Sequence, residues 1–183
     1  FAQPEQIFVY PEFLKTLSFE ELRSGFAEML KHGLIVDEKH WSDLISIEEL
    51  TPENIAPYIE RSMQIKQHVV EIDFKEQNIR KTLNFGHTIG HAIESLFLQQ
   101  GALIPHGEAV ALGMICETHL SLLENLISQE VSENIIHNIR KFYPYIPIDS
   151  FSTEDILSLM QNDKKNSDGN ISFSLLEAIG KCN

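Results

Sequence analysis

The chain has 183 residues, 43% of them hydrophobic, enough to fill the core of one good-sized domain with little room for a second. A formal net charge of -13 argues against nucleic acid and anionic membrane surfaces as partners. It leaves open an anionic small substrate, because a local cluster of Lys and Arg can reverse the field inside a cleft. The two cysteines, Cys116 and Cys182, lie far apart in no metal-ligand spacing, which fits a reducing, cytoplasmic setting. No signal peptide and no apolar run of bilayer length occurs.

The chain opens on "FAQPEQIFVYPEFLKT", apolar at once, and starts like the middle of something larger. A helix is expected from Ser18, with Glu21 three residues on as a capping box and Leu22, Phe26, Met29 and Leu30 at helical spacing. Thr51 followed by Pro52 opens a long helix through Ile59, Met63, Ile65 and Val69. Further helices are expected in "LNFGHTIGHAIE", "HGEAVALGMICETHLSLLENL", "SQEVSENIIHNIRKFY" and, shorter, "TEDILSLMQNDKK". "NSDGNISFSLLEAIGK" reads as a turn and the clearest strand. The expected architecture is mainly α and multi-helical, with minor β structure at the ends.

"LNFGHTIGHAIE" is unusually rich in poor helix formers, since Gly86 and Gly90 would each cost roughly 1 kcal/mol against alanine in a helix interior. The stripped face they share permits a close helix contact or the approach of a ligand. His87 and His91, four apart, fall on one helix face about 6 Å apart along the axis, a spacing that suits two metal ligands or one ligand beside an acid/base. His106 opens the next helix, where its side chain can turn back onto the previous one. A catalytic zinc site commonly takes three protein ligands, and the candidate carboxylates are Glu28, Glu94 and Glu108. Glu28 precedes Lys31 at i+3, which is equally the pattern of a surface ion pair. Glu76, Arg80, Asn84 and His87 can line one continuous stripe, and Lys66 lies on the helix before it. Together with Lys31, these basic groups suit an anionic, oxygen-rich ligand.

The stretches "SGFAEMLKHGLI", "LNFGHTIGHAIE", "HGEAVALGM" and "DKKN…FSLLEAIGK" closely resemble the carboxy-terminal domain of the 3-dehydroquinate synthase family, in the same order and with similar spacing. The similarity runs over nearly the whole chain, so residues 1–183 are expected to form that helical domain, with the family's amino-terminal NAD-binding α/β domain absent; no G-x-G-x-x-G occurs. The resemblance implies conversion of 3-deoxy-D-arabino-heptulosonate 7-phosphate into 3-dehydroquinate and phosphate, a carbon–oxygen lyase reaction of the shikimate pathway, using NAD and a divalent metal (Zn or Co). It implies Glu28, His87 and His106 as metal ligands, and Glu76 and His91 as catalytic acid/base groups. Lys31, Lys66, Arg80, Asn84 and one of Lys164 and Lys165 would hold substrate. Fringe NAD contacts would fall on Phe13, Leu14, Lys15, Thr16 and Ser24. Gly86 and Gly90 then read as clearance for substrate and neighbouring backbone. The implied protein is cytoplasmic, takes a small sugar phosphate and forms a homodimer at full length, while this chain alone is expected to be inactive.

The alternatives are another sugar-phosphate cyclase of the same superfamily, a metal-dependent polyol dehydrogenase, or a non-catalytic helical interaction domain. A helical phosphohydrolase is set aside because no His-Asp dipeptide occurs.

Overall fold

The computed structural model describes residues 5–161 and 170–183. Among the described residues seven α-helices follow one another: α1 (Phe19–Val36), α2 (Glu38–Ile45), α3 (Pro52–Ile72), α4 (His87–Gln99), α5 (His106–Leu123), α6 (Gln129–Phe142) and α7 (Thr153–Gln161). Two 3-10 helices, Pro11–Thr16 and Ile79–Asn84, precede α1 and α4, and an antiparallel hairpin of β1 (Leu176–Ala178) and β2 (Lys181–Cys182) closes the chain. Among the described residues the fold is thus mainly helical, with its β-strands at the end.

Caps set the boundaries as local chemistry requires. Ser18, Thr51 and Ser128 accept from the N–H three residues on, at 3.2, 3.2 and 3.3 Å, at the starts of α1, α3 and α6. Asp37 does the same for α2 through the N–H of His40 at 3.1 Å. This short helix carries no long apolar period, and the sequence reading passes over it. Its Trp41 and Leu44 are nonetheless core residues.

α1 and α5 form the centre. The expected stripe Leu22, Phe26, Met29 and Leu30 is buried, and α5 is buried around most of its circumference, through Ala109, Val110, Ala111, Met114, Glu117 and Ser121. α2 and α3 pack on α1, α4 and α6 pack on α5, and α7 packs on α4. The hairpin is tied to both central helices: Gly180 N–H donates to Leu34 O at 2.8 Å and Leu176 N–H to Ser121 Oγ at 2.9 Å. No described helix is long and apolar enough to cross a membrane.

One boundary differs from the sequence expectation. "LNFGHTIGHAIE" is not a single helix: Leu83 and Asn84 end a 3-10 helix, and α4 begins only at His87. Gly86 is its N-cap, with φ 79° in the left-handed region, a conformation open to glycine without strain. Only Gly90 carries the cost of a glycine inside the helix.

Candidate functional site

Three central helices each bring one donor to a common point. Glu28 comes from the middle of α1, His87 from the first residue of α4 and His106 from the first residue of α5. His87 Nε2 lies 3.1 Å and His106 Nε2 3.7 Å from Glu28 Oε1. One ligand atom from each lies within 4.8 Å of the others, so a single cation can be shared among them. Two imidazoles and one carboxylate suit zinc or cobalt, and three protein donors leave a position for a ligand.

The second nitrogen of each ring is held as well. His87 Nδ1 lies 3.2 Å from Phe85 O, and His106 Nδ1 lies 3.3 Å from Glu94 Oε2. Both contacts favour a proton on Nδ1 and leave Nε2, on the Glu28 side, free to coordinate. His91, Glu94 and His106 form a second three-donor group. The two groups share His106 but use opposite sides of its ring. Glu108, the remaining carboxylate candidate, is instead paired with Arg23 between α1 and α5.

Charge around this point is reversed relative to the whole chain. A cleft of about 530 Å³ is lined by Glu28, Lys31, Lys66, Arg80, Asn84, His87 and His106, with Glu76, His32 and Leu83. Lys31 Nζ lies 2.6 Å from Glu28 Oε2, the expected i,i+3 pair; its side chain is only 4% exposed against 29% for Glu28, so this is a part-buried pair with a buried lysine rather than a surface one. Burial would raise the Glu28 pKa; hydrogen bonds from His106 and His87 and the Lys31 charge outweigh it and hold the carboxyl well below its usual range. The same Glu28 contact, against partial burial and with help from Glu94, raises His106.

Glu76 and Asn84 reach the cleft by a folded loop, not by the expected continuous stripe. After α3 ends at Ile72, the Asp73 carboxylate accepts the N–H groups of Gln77, Asn78 and Arg80 at 3.0, 2.6 and 3.1 Å. Glu76 sits in this turn at φ 56°, strained for a side chain of its size. Its Oε1 accepts from Asn84 Nδ2 at 3.2 Å, and Arg80 Nε stands 3.8 Å from its Oε2. A neighbouring cavity of about 230 Å³ shares Glu76 and Asn84 and brings in Lys81, Thr88, Ser172 and Ser174. Ser174 Oγ donates to Lys81 O at 2.8 Å, fastening the segment after residue 169 beside the cleft.

Of the residues singled out in the sequence, Glu28, His87 and His106 share this cleft with Lys31, Lys66, Glu76, Arg80 and Asn84, whereas Glu94 and Glu108 do not line it. His91 does not line it, and its ring stands 5.2 Å from that of His87 and 5.9 Å from that of His106. Phe13, Leu14, Lys15 and Thr16 lie apart on the first 3-10 helix, with Phe13 72% exposed. Ser24 lies at the α1–α5 contact, where its Oγ accepts the Gly107 N–H at 2.6 Å. Lys164 and Lys165 lie outside the described residues. Sequence reasoning missed His32, which lines the cleft next to Lys31, and Glu117, buried in α5 with no metal-ligand spacing to mark it.

Comparison with known proteins identifies relatives of the chain. A 3-dehydroquinate synthase from Parabacteroides distasonis is 38% identical over 182 residues, covering 98% of this chain and 52% of that protein. Among solved structures, 2-epi-5-epi-valiolone synthase from Streptomyces hygroscopicus subsp. jinggangensis, with NAD+ and Zn2+ bound, superposes with a TM-score of 0.75 at 21% identity. It covers 94% of this chain and 49% of that one. A 2-deoxy-scyllo-inosose synthase complexed with carbaglucose-6-phosphate, NAD+ and Co2+ gives 0.74 at 24% identity, covering 94% and 48%. The chain therefore spans about half the length of the proteins it matches. The family model described as 3-dehydroquinate synthase C-terminal matches residues 25–166, and the chain belongs to the 3-dehydroquinate synthase family.

Proposed function

We propose that this chain is the metal- and substrate-binding helical domain of a 3-dehydroquinate synthase, acting on 3-deoxy-D-arabino-heptulosonate 7-phosphate and releasing phosphate. The observation that carries the reading is the convergence of Glu28, His87 and His106 in one cleft with Lys31, Lys66 and Arg80. Identity near 38% to named 3-dehydroquinate synthases, against 21% and 24% to the two cyclases, favours this reaction over those of its superfamily neighbours. The homologous half of a cyclase solved with NAD+ and Zn2+ supports both cofactors.

Glu28, His87 and His106 hold the divalent cation, which when bound supplies Lewis-acid polarisation of substrate oxygens. Lys31, Lys66 and Arg80 bind the phosphate and carboxylate, and their positive charge favours departure of the phosphate as its negative charge grows. Asn84 hydrogen-bonds substrate hydroxyls. Glu76, steadied by Asn84 and Arg80, accepts a proton at its carboxylate. His91, whose ring lies beside those of His87 and His106, handles a proton. One of Lys164 and Lys165 also reaches the substrate. NAD contacts from this chain come from Phe13–Thr16 and Ser24, with the dinucleotide fold supplied by other residues of the full-length enzyme, a cytoplasmic homodimer; the two free thiols Cys116 and Cys182 suit that compartment.

Metal content tests the ligand set. The purified chain is expected to bind one equivalent of zinc, and His87→Ala or His106→Ala to lose it; stoichiometric zinc in both variants would refute the assignment. The chain alone, given substrate, NAD and zinc, is expected to show no turnover, and turnover would overturn the proposed division of labour.

A further inference from the structure

Glu117 is fully buried three turns into α5, and its carboxylate is spent on the start of a different helix. Its Oε2 accepts the Gly86 N–H at 2.6 Å, and Oε1 lies 3.5 Å from the Ile89 N–H. The first turn of any helix has N–H groups without intrahelical partners, and a side chain at the N-cap normally satisfies one of them. At α4 that is impossible. Gly86 has no side chain, and a Cβ there would come within 2.5 Å of Met114 Cγ and 2.9 Å of Val110 O. The cap therefore arrives from α5, as a carboxylate placed at the positive end of the α4 dipole. The two capped residues flank His87, the first residue of α4, while His106 is the first residue of the helix that carries Glu117.

We propose that Glu117 is a positioning residue for the divalent-cation site: by capping α4 from within α5, it fixes His87 relative to His106 and so sets metal affinity and coordination geometry. This rests on the reading of Glu28, His87 and His106 as metal ligands. Burying a carboxylate is costly, and a hydrophobic residue would fill the same volume at lower cost were packing its only task. The carboxylate instead ties one metal histidine's helix to the other's, as residues that orient metal ligands do.

The test is titration of the chain with Co2+, read by the visible absorption band and by competition with Zn2+. Glu117→Ala is expected to weaken binding about 10-fold to 100-fold and to alter the band shape. Glu117→Gln, which keeps an acceptor oxygen for Gly86, is expected to recover much of that loss. Ile139→Ala, a buried change in α6 that lowers stability, is the control and is expected to leave affinity and band shape unchanged. Affinity in Glu117→Ala within twofold of wild type, or a loss no greater than that of Ile139→Ala, overturns the inference. Should Glu117→Ala fail to fold, Glu117→Leu, which fills the same volume without an acceptor for Gly86, takes its place, and wild-type affinity and band shape there overturn the inference equally. His87→Ala separates the two claims: undiminished Co2+ binding there refutes the metal reading itself, whereas its loss alongside indifferent Glu117 variants refutes only the positioning role.

Discussion

His32 shows how one buried side chain records the charge of the cleft. It follows Glu28 by one turn of α1, its Nδ1 lies 2.6 Å from Ser62 Oγ, and its Nε2 finds no hydrogen-bond partner among the described residues. Burial, reinforced by the positive charge of Lys31 and opposed by Glu28, pushes its pKa down to about 3. The unfolded chain takes up a proton near pH 6.5 that the folded chain refuses, so stability is full above that value and falls as pH drops toward 3. At most this amounts to about 1.4 kcal/mol per pH unit. His40, also lowered by burial, acts in the same direction. Urea denaturation at pH 7 and pH 5 should show wild type losing about 2 kcal/mol more than His32→Gln over that interval. An equal loss in both proteins would sink this account. His32 escaped the sequence reading because nothing in "EMLKHG" says that a histidine next to a lysine is buried. Lys31 carried the same ambiguity: its i,i+3 spacing to Glu28 looks identical in a solvated pair and in the part-buried pair formed here, whose lysine is buried.

At the scale of elements, the crossing of α4 over α5 decides the site. A Cβ on Gly113 would lie 1.9 Å from Gly86 O and 2.9 Å from Gly90 N, and one on Gly90 would lie 3.0 Å from Ala109 O. The sequence reading takes the clearance at Gly86 and Gly90 to serve both substrate and neighbouring backbone. The structure assigns these glycines to backbone-on-backbone packing rather than to a substrate, so Gly90→Val is expected to disturb the fold as well as the site. Gly113→Ala forces the helices apart and should cost about 1–3 kcal/mol or more in thermal or urea unfolding. Gly25, exposed on α1 with nothing within 4 Å of its Cβ position, makes the contrast: Gly25→Ala should stabilise by about 0.5–1 kcal/mol. If the two substitutions shift stability in the same direction, the close-approach argument fails. Helices with strong periods and Ser or Thr caps were legible at this scale, α1, α3 and α6 above all. The loop from Asp73 to Asn84 was not. Glu76, Arg80 and Asn84 do gather with His87, but through a turn organised by three N–H groups on one aspartate, a long-range consequence of chain reversal that i,i+4 spacing imitates only by coincidence.

For the molecule as a whole, the proposed metal site joins α1, α4 and α5, the elements that hold the interior together. A cation bound there bridges groups that the unfolded chain separates by 59 and 19 positions, Glu28 to His87 and His87 to His106. Binding to the native state alone adds RT ln(1 + [M]/Kd), about 2.7 kcal/mol at a hundredfold excess over Kd. For a chain of this size that raises Tm by roughly 5–10 °C. Thermal unfolding with and without Zn2+, reversed by a chelator, measures the effect directly. His106→Ala keeps the cleft and its lysines while removing one donor, so its Tm should rise far less with zinc than that of wild type. Zinc bound by scattered histidines or surface carboxylates would stabilise the two proteins alike, and a shared shift of full size would therefore remove the metal from the centre of the fold.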